Sequence, residues 1–282
     1  MPGLLPGFLL GKEVFTMLRS LAPKSVLCIH DLCGADRCCL GVILPVLAAM
    51  GCRPVALPTG LVSSRTGEEA PPAALNCQDF AAASLEQYRQ LGREFDCIYV
   101  GCLGTEAQQK LVLDAFAAWP DAIKVVDPVM CAGSSELLPG LAALCRAADL
   151  TVPSLAEACQ LLGRPLPEEP MTEEEAGAIA AEMAQHFEGT CVVSGIPVGK
   201  YLACAGAGQE SFVQKRLMPQ TYPGTGDLQT AVLVGGLMRG NALSAAADAA
   251  AGFVAAAMAA TPADADPRLG VWYESQMYRL LP

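Results

Sequence analysis

"FDCIYVGCLGTEAQQKLVLDAFAAWPDAIKVVDP", Phe95 to Pro128, is the stretch that decides the fold. Its two ends, "DCIYVG" (96–101) and "IKVVD" (123–127), are short apolar runs that read as strands buried on both faces. Between them, residues 105–118 carry a helical pattern. Strand, helix and strand in this order predict one parallel crossover unit. The same rhythm runs outward in both directions. Buried strands are expected at "SVLCIH" (25–30), "RPVAL" (53–57), "DLTVP" (149–153) and "TCVVSG" (190–195). Helical patterns fall at 37–50, 79–93, 155–163, 172–188, 226–239, 242–260 and 270–280. "KYLACA" (200–205) and "SFVQKR" (211–216) read as a hairpin at a sheet edge. The prediction is an α/β, three-layer fold: one mostly parallel central sheet with helices on both faces.

Composition agrees with that class and narrows the function. Of 282 residues, 52% are hydrophobic and only 6% aromatic, which suits helices packed closely on a sheet. A net charge of −11 offers no chain-wide basis for holding nucleic acid or an anionic membrane. Thirteen cysteines and two histidines, with no Cys-x-x-Cys pair, give no zinc spacing. Cysteines inside apolar runs, such as Cys28, Cys97 and Cys191, read as small apolar residues of a reduced, cytoplasmic protein. Residues 1–24 read as an N-terminal extension and 25–282 as a single domain. "LLPGFLL" lacks a basic leader and is broken by Pro-Gly, so it is not read as a signal peptide. No uninterrupted apolar stretch reaches the roughly 18 residues of a membrane span.

In open parallel sheets, ligands bind beyond the carboxyl ends of the strands. That rule points to His30-Asp31, Thr59, Gly101-Cys102, Asp127-Pro128, Pro153-Ser154 and Ser194-Gly195. A second signal is Gly224-Thr225-Gly226-Asp227, which opens an apolar helix. Glycines before a helix let its first N–H groups turn outward as an anion site. An aspartate beside such a nest can take a proton from an alcohol while the nest holds the phosphoryl group under attack. The same four residues also read as a Gly-rich turn with a capping Asp. The chain has no Gly-Lys-Ser/Thr phosphate loop, and no G-x-G-x-x-G follows the first strand. His30 reads as a structural residue at a strand end, and His186 as a helix-surface residue.

"IHDLCGADRCCLGVILPVLAAMG" (29–51), "LPTGLVSSRTG" (57–67), "FDCIYVGCLGTEAQ" (95–108) and "VVDPVM" (125–130) stand in order along the chain. "ADLTVPSLAEACQLLG" (148–163), "VVSGI" (192–196), "PGTGD" (223–227) and "GVWYESQMYRLL" (270–281) follow. Together they resemble the pyridoxal/pyridoxamine kinase branch of the ribokinase-like superfamily, over roughly residues 25–281. The resemblance implies a ribokinase-like fold and a phosphotransferase that moves the γ-phosphoryl group of ATP to the 5′-hydroxymethyl of a B6 vitamer. It implies ATP and Mg2+, with a monovalent cation as a further candidate and a homodimer as the assembly. By resemblance Asp227 is the general base, and the amides of Gly224, Thr225, Gly226 and Asp227 form the anion hole. Asp31, Thr59, Ser63 and Cys102 line the vitamer pocket. Ser154, Ser194, Gly195 and Arg65 meet the nucleotide, Arg65 from a lid over 66–78. Asp127 and Glu157 stand near the metal, Glu157 through water. Related alternatives are a hydroxymethylpyrimidine kinase and a catalytically impaired nucleotide- or vitamer-binding protein of the same fold.

The chain departs from the branch at six positions. Ser is usual at Cys33, His at Arg65, Gly and then a polar residue at Cys131 and Ala132, Asn at Ser154, and an aromatic at Cys102. An aromatic lost at 102 removes a stacking wall worth ~1 kcal/mol. Ser154 reaches less far toward phosphate or metal than Asn. None of the six replaces Asp227 or the glycines before it.

Overall fold

Short runs of β-branched and apolar residues become strands here because both of their faces are covered. The computed structural model describes residues 22–65, 71–130, 135–217 and 222–281. The strands are β1 (Ser25–Cys33), β2 (Arg53–Val62), β3 (Ala74–Asn76), β4 (Cys97–Val100), β5 (Ile123–Val126), β6 (Leu150–Thr151), β7 (Thr190–Val198), β8 (Tyr201–Ala207) and β9 (Phe212–Arg216). They form one sheet in the order β3-β2-β1-β4-β5-β6-β7-β8-β9. The pairs from β2 through β7 are parallel, and β3, β8 and β9 add antiparallel edges.

The helices are α1 (Leu40–Ala49), α2 (Gln78–Gln90), α3 (Glu106–Ala118), α4 (Leu138–Ala147), α5 (Leu155–Leu161), α6 (Glu173–Phe187), α7 (Thr225–Met238) and α8 (Leu243–Ala260). Strand alternation sorts the core into two layers. Leu27, Ile29, Ile98, Val100 and Val193 face the layer of α2 to α6. Val26, Cys28, Cys97, Tyr99 and Val192 face α1, α7 and α8. The close contacts of α7 need small residues. A Cβ at Gly235 would lie 2.3 Å from Met50 Sδ of the turn after α1, and one at Gly236 2.9 Å from Ala246 Cβ of α8.

Several details differ from the sequence reading. Helix α4 stands where no helix was expected, because "LPGLAALCRA" opens on Pro-Gly, a turn signal. Pro139 sits in its first turn, where a missing N–H costs nothing. The expected helix over 270–280 is instead a 3-10 helix, Glu274–Leu280, led in by Gly270 at φ 77°. Arg239 holds this tail by donating to the carbonyls of Leu280 (2.6 Å) and Met50 (2.8 Å). Of the proposed lid, residues 66–70 lie outside the described residues, and 74–76 form the edge strand β3. Helix α8 is 18 residues long with mean hydropathy 1.5, enough by length and composition to cross a membrane, although Asp248 interrupts it. Half of it is buried here, on a face of Ala246, Ala250, Phe253, Val254 and Ala257. Among the described residues every cysteine is buried and none is in a disulfide.

Candidate active site

Two irregularities in strand pairing shape the site. Between His30 and Leu32 the β1–β2 register slips, with β2 contributing one extra residue around Thr59 and Gly60. Between Val193 and Ile196 the β7–β8 register slips likewise around Ser194 and Gly195, and Gly195 takes φ 67°. Bulges of this kind re-aim side chains and end regular pairing. Both lie at the carboxyl end of the parallel strands.

Two adjoining cavities open there. The first, of about 280 Å3, is polar and is lined by His30, Arg65, Asp127, Glu157, Asp227 and Thr230 among others. The second, of about 340 Å3, is mostly apolar and is lined by Leu155, Leu166, Leu202, Val254 and Met258, with Gly195 at its edge. Ser154, Ser194 and Gly226 line both. Gly226 lies in the first turn of α7, and a Cβ built on it would meet nothing within 4 Å. Gly224 is different. It caps α7 in the left-handed region at φ 76°, and a Cβ there would lie 1.9 Å from the Arg37 carbonyl oxygen. Only glycine meets both conditions. Past Gly224, the first-turn amides of Gly226 and Asp227 have no intrahelical acceptor. Thr225 does not extend the nest with its hydroxyl, which donates to the Tyr222 carbonyl at 2.8 Å.

Asp227 is held from two sides. The Cys39 N–H donates to its Oδ2 at 2.7 Å, and His30 Nε2 meets its Oδ1 at 3.1 Å. His30 Nδ1 lies 2.6 Å from Asp31 Oδ1, and the Arg65 guanidinium donates to Asp31 Oδ2 at 2.6 Å. The result is a row of alternating charge: Arg65, Asp31, His30, Asp227. Burial works against a charged His30, which is only 1% exposed. The Asp227 and Asp31 carboxylates outweigh it and hold the imidazole well above the usual histidine range. Burial would likewise raise Asp31, but His30 and then Arg65 bring it below the usual carboxylate range. Cys39 supplies its amide from a strained backbone, φ 57° and ψ −150°, a region normally left to glycine.

Asp127 stands across the polar cavity, 5% exposed. Its Oδ2 accepts from the Thr230 hydroxyl at 2.8 Å. Burial, then the nearby charges of Glu157 and Asp227, push its carboxyl well above the ordinary value. Glu157 completes a capping box on α5: Ser154 donates to its Oε2 through both N–H and hydroxyl at 2.7 Å. Its Oε1 takes the Met130 N–H at 3.3 Å. Three carboxylates around one small cavity repel one another, and a divalent cation there would relieve the repulsion. Asp127 and Glu157 therefore fit the chemistry of a metal site.

The structure brings Asp227, Gly224, Gly226, Arg65, Asp127, Glu157, Ser154 and Ser194 to one cavity, with Asp31 directly behind His30 and Arg65. Arg65 stands in the polar cavity on Asp31 and Cys39, not over the apolar one. None of the four expected pocket residues, Asp31, Thr59, Ser63 and Cys102, lines either cavity. Thr59 gives its hydroxyl to the Cys102 carbonyl at 3.1 Å, and Ser63 accepts the Ala73 N–H at 3.0 Å. Cys102 is buried beside Thr59. Cys131 and Ala132 lie outside the described residues. The sequence reading missed His30, Cys39 and Thr230. The His-Asp pair at the end of β1 was the signal for the first; a backbone amide such as that of Cys39 leaves none.

With the geometry in place, the comparisons are informative. A family model described as phosphomethylpyrimidine kinase matches residues 44–269 of the chain. A Bacteroides thetaiotaomicron protein described as a candidate phosphomethylpyrimidine kinase, solved with pyridoxal, is 28% identical with a TM-score of 0.83, over 92% of this chain and 96% of that one. The pyridoxal kinase of Lactobacillus plantarum is 25% identical with a TM-score of 0.81, over 91% and 96%. The Staphylococcus aureus pyridoxal kinase, solved with AMP-PCP and pyridoxal, shares the fold at 22% identity and a TM-score of 0.74, over 89% and 93%. No curated protein matches the chain.

Proposed function

The chain belongs to the phosphomethylpyrimidine kinase family, and from that premise we propose that it transfers the γ-phosphoryl group of ATP to the 5′-hydroxymethyl of a B6 vitamer. The observation that carries this reading is the meeting of Asp227 and the Gly224–Asp227 nest with two adjoining cavities of opposite character. In the proposal the apolar cavity takes the nucleoside and the polar cavity takes the acceptor alcohol. Asp227, with lone pairs beyond those used by His30 and Cys39, accepts the alcohol proton. The first-turn amides of α7 and its dipole balance the charge on the moving phosphoryl. Asp127 and Glu157 would hold Mg2+, which when bound neutralises phosphate charge. Ser154, Ser194 and Gly195 edge the nucleotide space, and Arg65 adds a cation beside the acceptor. Pyridoxal in the 28% identical structure supports a vitamer acceptor.

A hydroxymethylpyrimidine acceptor is the second reading, supported by the description of the matching family model. One experiment separates them: ADP release from MgATP with pyridoxal, pyridoxamine, pyridoxine or hydroxymethylpyrimidine, beside Asp227→Asn and beside an excess of EDTA. Release driven by a vitamer and abolished by both controls is expected. Release driven only by the pyrimidine selects the second reading, and no release with any acceptor overturns both.

A further inference from the structure

We propose that His30 is a positioning residue for Asp227: a buried imidazole clamped between two carboxylates, fixing the base against the α7 nest. The proposal rests on the phosphotransfer reading above. The geometry of the clamp stands independently of that reading. Both ring nitrogens are engaged, Nδ1 by Asp31 at 2.6 Å and Nε2 by Asp227 at 3.1 Å. The ring is 1% exposed, so neither contact is shared with solvent. Space for it is made by Gly101 at the end of β4, where a Cβ would fall 1.8 Å from His30 Cδ2 and 2.2 Å from Nε2.

The clamp has a direction. As an imidazolium, His30 donates from both nitrogens, so each carboxylate serves as an acceptor. Asp31 is itself anchored by Arg65, which stops it from swinging toward solvent and taking the ring with it. The groups facing His30 are Asp31 on β1, Asp227 on α7 and Cys39 before α1, with Arg65 behind Asp31 and Asp127 across the cavity. Two of these are carboxylates in hydrogen-bond contact, which is why the ring keeps its proton despite burial. A base held this way is aimed before the acceptor arrives. Small displacements of a reacting group cost roughly 100-fold in rate.

The test compares two isosteres. Gln at 30 places an amide N–H near the position of Nε2, and Asn places one near Nδ1. His30→Asn is expected to lower kcat by roughly 10- to 100-fold with KM for MgATP unchanged, and His30→Gln to recover most of the loss. Gly101→Ala, which keeps every titratable group but displaces the ring, is expected to behave like His30→Asn. Folded His30→Asn or Gly101→Ala protein with wild-type kcat overturns the proposal.

A second readout does not need turnover. The chain has only two histidines, His30 and His186, so 15N-histidine NMR gives two assignable rings. His30 is expected to stay protonated on both nitrogens above the usual histidine range, and to lose that protonation at lower pH in Asp227→Asn than in wild type. An ordinary histidine titration of His30 in the wild-type protein overturns the clamp whether or not any acceptor is phosphorylated. An intact clamp in a protein that phosphorylates none of the acceptors tried would leave the clamp standing and sink the functional reading instead.

Discussion

The two cavities share a wall and are built by opposite rules. The polar one is lined by charged groups, Arg65, His30, Asp227, Asp127 and Glu157, with Asp31 behind His30 and Arg65. The apolar one is made of Leu155, Leu202, Val254 and Met258, whose contribution is surface covered rather than charge. The difference teaches where changes in the protein act. On the proposed function, a substitution in the polar cavity alters what the protein can do to a bound molecule, and one in the apolar cavity alters how tightly the nucleotide is bound, equally before and during reaction.

The largest test of that division is Asp227→Asn, which keeps shape but not basicity. It leaves one of the two groups now on the carboxylate, the Cys39 N–H or His30 Nε2, facing an amide NH2 instead of an acceptor. Turnover is expected to fall by roughly 1,000-fold, with ATP still raising the melting temperature. Activity equal to wild type would remove the base from Asp227. Gly224→Ala comes next. The methyl meets the Arg37 carbonyl, and the left-handed backbone adds strain of about 1–3 kcal/mol. Loss of roughly 100-fold in kcat and a lowered melting temperature are expected together; a fully active, equally stable variant would mean that the nest is not used.

Leu166→Ala probes the other side. Leu166 is 55% exposed, so the fold loses little, and the apolar cavity loses one wall. KM for MgATP should rise about 2- to 5-fold with kcat unchanged. A fall in kcat instead would break the division between the cavities. The smallest effect is in the pH dependence of stability. His30 has a raised folded pKa, so its contribution is complete below ~6.5 and fades as pH rises through the folded value. Asp31 has a lowered one, so its contribution is complete above ~3.9 and fades as pH falls through the folded value. Melting temperature followed from pH 3 to 10 should decline less on the alkaline side in His30→Gln than in wild type. Parallel alkaline limbs would contradict the His30 assignment.

Most of the fold was legible because burial on both faces writes itself as unbroken apolar runs. Cys97–Val100 and Thr190–Val193 are examples, and each expected strand fell within a few residues of its place, whereas β3, in the stretch read as a lid, was not expected. What escaped was local. Pro139-Gly140 looks like a turn in sequence yet opens α4, since the missing N–H falls where none is needed. The tail after Gly270 has helical spacing yet winds as a 3-10 helix. In the site, strand-end position was enough to find Asp31, Asp127 and Ser194. It was not enough to say what their side chains touch. Thr59 and Ser63, expected in the vitamer pocket by resemblance, are engaged by loop backbone. His30 looked structural because one of its two partners, Asp227, lies 197 positions away.

Gly226 gives a last consequence. Nothing obstructs a methyl at this position, and alanine would strengthen the helix by about 1 kcal/mol. The residue that would improve the scaffold is the one that would stand in the doorway between the two cavities. Gly226→Ala should therefore melt higher than wild type while its two ligands, which otherwise bind together, come to exclude each other. Inhibition of ATP binding by the acceptor would then appear as plain competition, a two-substrate machine reduced to a pair of rival binding sites. On this account the helix is kept less stable than it could be so that two molecules can meet.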